Sequence, residues 1–265
     1  MIREECYKFL KSWKSWVIIV IALGIGMFHT FDAIFYTGTS DVKINNFHPA
    51  YASFLNGVSA KGAYRTYFLW MMPVFLILAY CGGYASEKKK NIDIIHFVRC
   101  GERKKYFVNK MKMAGIVGIL LNLIPNIISI ILTVFFLHGK NGFMDLERWS
   151  EKEAGHFTYW CVHNAYVSYF IFLISNLIIA ALLSMMAQSM VIIFEDSKLA
   201  ILVITAIWMG IYYGNDFFFI GYAMQPFVGE NTLKTFIMSY ITYVPIALIW
   251  IVAAYMVVVK KNDRI

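Results

Sequence analysis

The stretch SEKKKNIDIIHFVRCGERKKYFVNKMK, from Ser86 to Lys112, carries nine basic residues against three acidic ones. It is the longest charged interruption on one side of a very apolar chain. Its own apolar centre, residues 92–98, is too short to span a bilayer, and its flanks are too polar for a soluble core. We therefore predict that this segment lies at a membrane surface and connects two membrane-spanning helices.

Within this segment, residues 91–100 are long enough for a short helix of about two to three turns. Asn91 is predicted as its N-cap and Gly101 as its C-terminal stop. Three apolar side chains share one face of this helix, at i, i+3 and i+6: Ile92, Ile95 and Val98. The residues alone leave two interpretations open. Either this face contacts a protein partner, or the segment is a basic loop that lies on anionic lipid.

Composition places the whole chain in a membrane. Hydrophobic residues make up 60% of its 265 residues and charged residues only 15%. A soluble domain of that size would need far more polar surface, so we predict an integral membrane protein. The net charge of +8 does not indicate nucleic-acid binding, because the basic residues lie at the edges of apolar runs, as orientation signals do.

The pattern of apolar runs predicts an all-α, polytopic membrane protein with six transmembrane helices in one permease-like domain, residues 1–265. Residues 1–14 are basic and amphipathic, which is typical of a helix lying in the membrane interface. The predicted spans, the first starting at Trp13 or Trp16, are residues 13–36, 65–84, 113–137, 165–194, 199–220 and 235–259. Residues 86–112 form the cytoplasmic loop, and residues 138–164 form an extracellular loop.

The distribution of basic residues predicts the orientation. Seventeen Lys and Arg residues lie in the N-terminus, the 86–112 loop, the 195–198 turn and the C-terminus, whereas the opposite loops carry seven. The positive-inside rule therefore places both termini in the cytoplasm of a multi-pass protein. On this topology Cys161 should be accessible from outside, and Cys6 and Cys100 only from the cytoplasm.

The chain lacks the motifs of nucleotide-binding proteins and of intramembrane proteases. It has no phosphate-loop motif, no dinucleotide-binding glycine motif and no HExxH or GxSxG sequence. We expect no catalytic residue and no cofactor in this chain. His156, Cys161 and His163 could contribute to an external metal site, but a fourth ligand would have to come from elsewhere, so we expect no metal there.

Polar residues inside the predicted spans require partners, since each costs free energy in hydrocarbon. His29 and Asp32, at i and i+3 near the outer end of the first span, are expected to pair with each other and to reach interfacial water. Asn122, Asn126 and Ser129 share one face of the third span. We expect them to join neighbouring helices by hydrogen bonds, with substrate contact as the alternative.

Two stripes of large side chains recur at helical spacing on the second and fifth spans. Their members are Phe68, Met72, Phe75, Thr205, Trp208 and Tyr212. Such stripes usually pack against neighbouring helices or face lipid. As the lining of a conduit, they would suit a substrate with a large apolar face.

The order of elements resembles the membrane subunit of type-2 ABC exporters, in which a basic inner loop with an embedded helix lies between spans two and three. The most specific match is local. Members of this family carry a Glu after the second span, then a Gly-x-Arg element and a basic and aromatic run that leads to a Lys before the third span. The matching positions here are Glu87, Gly101, Arg103, Tyr106 and Lys110.

The resemblance implies that the embedded helix is a coupling helix, which docks on a separate cytoplasmic ATPase subunit. The residues implied in this coupling are Glu87, Ile92, Ile95, Phe97, Val98, Gly101 and Arg103. Two ATPase copies would bind ATP and Mg, and two permease chains, identical or similar, would form the pathway. The two stripes would then lie at the two-fold axis.

By the same resemblance the protein resides in a bacterial plasma membrane. The resemblance also implies export of amphipathic antimicrobial or toxin peptides, or of lipid-like and hydrophobic compounds. Two functions of other classes remain alternatives. One is a membrane sensor or regulatory subunit whose loop binds a kinase or lipid, and the other is a stand-alone channel or secondary carrier.

Overall fold

A computed structural model describes residues 2–35, 47–56, 63–143, 146, 155–213, 220–227 and 232–259. The helices are α1 (Ile2–Lys11), α2 (Trp13–Phe35), α3 (Pro49–Ala52), α4 (Ala63–Leu76), α5 (Gly83–Lys89), α6 (Ile92–Cys100), α7 (Arg103–Leu137), α8 (His156–His163), α9 (Ala165–Phe194), α10 (Ser197–Tyr213) and α11 (Leu233–Val259). A π-helical turn, Ile77–Cys81, continues α4, and a 3-10 turn, Ile220–Ala223, precedes α11. The described residues contain no β-strand, and one isolated bridge joins Phe47 and Gly142. The all-α prediction is confirmed for this part of the chain.

Five helical segments among the described residues are long and apolar enough to cross a membrane. They are Trp13–Ile34, Ala63–Cys81, Arg103–Leu137, Ala165–Phe194 and Leu233–Val259. The predicted fifth span, residues 199–220, coincides with α10, which is apolar but only 17 residues long, and residues 214–219 lie outside the described part. The architecture is therefore that of a multi-pass membrane protein with five candidate transmembrane helices.

Helix α9 lies at the centre of the bundle and packs against α7, α10 and α11. Its closest neighbour is α7, because Gly118 has no side chain to hold the two backbones apart. A Cβ on Gly118 would overlap the carbonyl oxygen of Ala180 and would lie 2.8 Å from Cβ of Ser184. A second close contact joins Gly26 of α2 to Pro125 of α7.

Two of the three polar residues predicted to join helices through α7 do so, Asn122 and Ser129, whereas the side chain of Asn126 donates to Asn122 in its own helix. Ser129 accepts a hydrogen bond from Thr30 of α2 (Oγ1–Oγ 2.8 Å) and another from the backbone N–H of Phe54 (2.8 Å). Asn122 donates to Asn176 of α9 (Nδ2–Oδ1 3.4 Å). All of these side chains are buried, so each bond satisfies a group that water does not reach.

The turn between α9 and α10 is the tight helical hairpin that its charged sequence predicts. Helix α9 ends at Phe194, and Glu195 takes a left-handed backbone with φ 52°, which breaks the helix. Asp196 then accepts a hydrogen bond from the backbone N–H of Lys198 (2.7 Å), which caps the start of α10.

Candidate functional site

A buried lysine lies near the N-terminal end of α7. Lys110 is 3% exposed, and a buried ammonium group is stable only when acids or other acceptors surround it. Its Nζ lies 2.9 Å from a carboxylate oxygen of Glu5 in α1 and 2.9 Å from one of Glu87 in α5. One side chain thereby joins three helices.

A second lysine completes the arrangement. Lys8 of α1 lies 3.1 Å from the other carboxylate oxygen of Glu5 and 2.6 Å from that of Glu87. Tyr80 of the π-helical turn donates a hydrogen bond to Glu5 (2.9 Å). Two acids and two bases therefore alternate in a compact group, which we call the ion cluster (Glu5, Lys8, Glu87 and Lys110).

The pKa shifts of Glu5 and Lys8 favour the charged form of both side chains at neutral pH. Burial acts to raise the pKa of Glu5, but the charge and hydrogen bond of Lys110 and the charge of Lys8 hold it below the ordinary 4.5. Burial acts to lower the pKa of Lys8, but Glu87 and Glu5 raise it above 10.5. Glu5 therefore stabilises the fold above pH 4.5 and loses this contribution as pH falls through its lowered pKa. Lys8 contributes below 10.5 and loses its contribution as pH rises through its raised pKa.

His96 connects α6 to this cluster. Its ring is buried, with Nε2 3.0 Å from Nζ of Lys8, and it stacks on Tyr106 of α7 at 6.5 Å between centroids. Burial and the charge of Lys8 lower the pKa of His96. The neutral ring can therefore accept a hydrogen bond from Lys8. The contacts of one histidine hold this side of α6 against the bundle.

The opposite face of α6 is apolar and uncovered. Ile94 is 56% exposed, Ile95 53% and Val98 77%, whereas Ile92 is half-buried. The predicted face of Ile92, Ile95 and Val98 is therefore rotated: Ile94 takes the place of Ile92, because His96 fixes which side of the helix faces the bundle. The side chain of Phe97 lies outside the described residues.

Both ends of α6 have left-handed residues. Gly101, the predicted stop, has φ 72° and follows the last helical residue. Asn91 was predicted as an N-cap, but its φ of 54° does not suit that role, which needs an extended backbone. Asn91 instead follows the last turn of α5, where a left-handed residue commonly ends a helix.

Three residues that carry the family resemblance thus come together. Glu87 and Lys110 form an ion pair, and Tyr106 lies under His96. Arg103 begins α7 and is half-buried, at the edge of this group. Sequence reasoning missed Glu5 and Lys8. The signal available was their i, i+3 spacing on α1, with Glu5 on the same face as buried Phe9.

The two predicted pathway stripes face one another inside a single chain. Trp208 of α10 is fully buried, donates its indole N–H to the carbonyl of Leu69 in α4 (2.8 Å) and packs on Tyr243 of α11 at 6.0 Å between centroids. Phe68, Met72 and Tyr212 are also buried, and Phe75 and Thr205 are half-buried. The expectation that Trp208 faces its counterpart in a second copy is wrong for this structure, since its ring fills the space between three helices.

Two further expectations about polar groups are corrected. His29 does not reach interfacial water: it is fully buried, with its ring edge-to-face with Phe54 at 5.2 Å between centroids. It has no hydrogen bond to Asp32 among the described residues. At the same end of the bundle, buried Arg65 donates to the side-chain oxygen of Gln225 (2.9 Å) and to the carbonyl of Met224 (3.2 Å).

The three residues considered for a metal site, His156, Cys161 and His163, differ in their exposure to solvent. Cys161 is buried, which also contradicts the prediction that it is accessible from outside. His163 is exposed and contacts the carbonyl of Tyr159 (3.0 Å) through Nδ1. In the part of the chain that the structure describes, no three His, Cys, Asp or Glu side chains form a group that could hold a metal ion.

Comparison with known proteins gives one distant similarity. The chain is 28% identical over 192 residues to "Uncharacterized protein YybM" of Bacillus subtilis (strain 168), across 71% of this chain and 74% of that protein. No protein-family model matches the chain, and no solved structure matches it. Because this relative is itself uncharacterized, the similarity indicates no activity, and the function is inferred from the site.

Proposed function

We propose that this chain is the membrane subunit of an ATP-driven exporter of the type-2 ABC class, with α6 as the helix that a separate ATPase subunit contacts. One observation carries the proposal. Helix α6 is held to the bundle through His96, while Ile94, Ile95 and Val98 expose an apolar face. An apolar face of this kind is what a protein partner buries, and basic residues flank it on both sides.

In this proposal ATP and Mg bind to two ATPase subunits, and this chain forms the pathway with a second copy or a similar permease. The protein lies in a bacterial plasma membrane with both termini in the cytoplasm. The substrate is an amphipathic antimicrobial or toxin peptide, or a lipid-like compound. The assembly of Glu87, Tyr106 and Lys110 under α6 supports the resemblance on which these assignments rest.

Ile95→Asp tests the proposed contact. The protein is purified from its native membranes, and ATP hydrolysis by the co-purifying ATPase is measured. We expect a loss of about tenfold or more, because a carboxylate in a desolvated contact costs several kcal/mol. The fold should survive, since Ile95 is more than half exposed.

Lys89→Asp is the control, because Lys89 is exposed on the same segment and its replacement weakens attraction to anionic lipid without touching the apolar face. Retention of the ATPase by Lys89→Asp and its loss from Ile95→Asp would support the exporter. Equal losses in both variants would contradict it in favour of lipid-surface attachment. The exporter proposal would also be contradicted if no phosphate-loop ATPase co-purified with the unmodified protein.

The proposed orientation predicts which positions react from outside the cell. In a chain whose native cysteines are replaced by alanine, His156→Cys should react with a membrane-impermeant maleimide in intact cells. Lys104→Cys should react only after permeabilisation, because it lies within the basic segment that the positive-inside rule places in the cytoplasm. Both positions are exposed, so burial does not limit either reaction. The reverse labelling pattern would invert the topology.

A further inference from the structure

A groove of about 360 Å³ runs beside the ion cluster, between the junction of α1 with α2 and the π-helical turn. Ser12, Trp13 and Lys14 lie on one side of it, and Leu78 and Ser86 on the other. The groove adjoins both the start of the first candidate span and the end of the second. It therefore lies at the level of the membrane interface, where lipid headgroups are found.

The charge of this groove is positive once internal pairs are taken into account. Glu5 and Glu87 both form ion pairs with the two lysines of the ion cluster, Lys8 and Lys110. Lys14 remains at the edge of the groove, exposed and without an ion pair among the described residues. The site therefore offers one uncompensated cation and no carboxylate that is free to bind another cation.

The groove also has hydroxyl donors and an apolar wall. The hydroxyls of Ser12 and Ser86 have no hydrogen bond to another described residue. Trp13 is 70% exposed, and the neighbouring Leu78 is also exposed. Indole rings concentrate at the headgroup level of membranes, and aliphatic side chains suit the acyl chains below it.

We propose that this groove binds an anionic phospholipid of the phosphatidylglycerol class, with its phosphate at Lys14, Ser12 and Ser86 and its glycerol and upper acyl chains against Trp13 and Leu78. Phosphatidylcholine is disfavoured, because its quaternary ammonium finds no free acid in the groove. The inference depends on the membrane placement and on this geometry, and it stands apart from the exporter proposal.

Native mass spectrometry of the purified protein in a neutral detergent tests this proposal. The protein is titrated with phosphatidylglycerol and, separately, with phosphatidylcholine of the same acyl chains. We expect phosphatidylglycerol to bind about tenfold more tightly. Lys14→Glu should remove this preference, and Lys14→Gln should weaken it by about fivefold without introducing a new charge.

Lys11→Glu is the matched control, since Lys11 lies on α1 over the ring of Tyr7 and outside the groove. It should change phosphatidylglycerol binding by about twofold or less. Equal losses in Lys14→Glu and Lys11→Glu would overturn the site in favour of diffuse charge attraction. Equal binding of the two lipids would overturn its selectivity. Competition by millimolar inorganic phosphate would indicate a free-phosphate site in place of a lipid site.

Discussion

Replacement of Lys110 by methionine should destabilise the protein by about 3–5 kcal/mol, because buried Glu5 and half-buried Glu87 would keep Lys8 as their one cation within the ion cluster. The apolar side chain fits a buried position but cannot neutralise either acid. Thermal unfolding in detergent, followed by tryptophan fluorescence, should show a decrease in Tm on the order of 10 °C.

Lys112→Met is the matched control for this prediction, since it removes the same charge two residues away on an exposed position. It should change stability by about 0.5 kcal/mol or less. Glu5→Gln combined with Lys110→Met should recover part of the loss, because the double variant restores equal numbers of charges in the cluster. Identical Tm values for Lys110→Met and Lys112→Met would show that the cluster contributes little to stability.

Gly118→Ala should be nearly as damaging, at about 3 kcal/mol, although it adds a single methyl group. The new Cβ would overlap the carbonyl oxygen of Ala180, and a backbone atom in the middle of a helix cannot move aside alone. Helices α7 and α9 would have to separate along their contact. The same fluorescence measurement should report a loss of Tm on the order of 10 °C.

Gly210→Ala provides the opposite case. Gly210 also lies inside a helix, but a Cβ there would meet no atom within 4 Å. The substitution should be neutral or stabilising by up to about 1 kcal/mol, since alanine favours a helix more than glycine does. If both glycine substitutions had the same effect, helix propensity and not the α7–α9 contact would explain the result for Gly118.

The candidate spans and α10 follow from the sequence, because each contains a long run of apolar residues. Helices α3 and α8 lie in segments predicted as loops, and α7 begins at Arg103 and not at residue 113, so it includes the end of the predicted 86–112 loop. The turn at 195–198 and the stop at Gly101 were predictable because each depends on residues that are close in the sequence. The helix between Ile92 and Cys100 was also predictable, but not its rotation. That rotation depends on the contact of His96 with Lys8, which is 88 residues away in the chain.

The ion cluster itself was beyond local reasoning. Glu5 and Lys110 are separated by 105 positions, and nothing in either neighbourhood indicates that the two side chains meet. The location of Trp208 could not be predicted from the sequence either. A stripe of large residues has the same spacing whether it lines a conduit or fills a core. Only the indole bond to Leu69 and the contact with Tyr243 distinguish the two.

The ion cluster has a mechanical consequence for the molecule. It joins α1, the π-helical turn, α5 and α7, and His96 adds α6 to the same joint, so a load applied to α6 is shared by all of them. Helix α7 continues for 27 residues beyond Lys110, about 40 Å, so a tilt of about 5° at the cluster would displace its far end by roughly 3–4 Å. Leu137, at that far end, packs in an apolar cluster with Tyr51 and Phe143. A small tilt of α7 on one side of the bilayer would therefore displace Leu137 on the other side by a distance comparable to the size of a side chain.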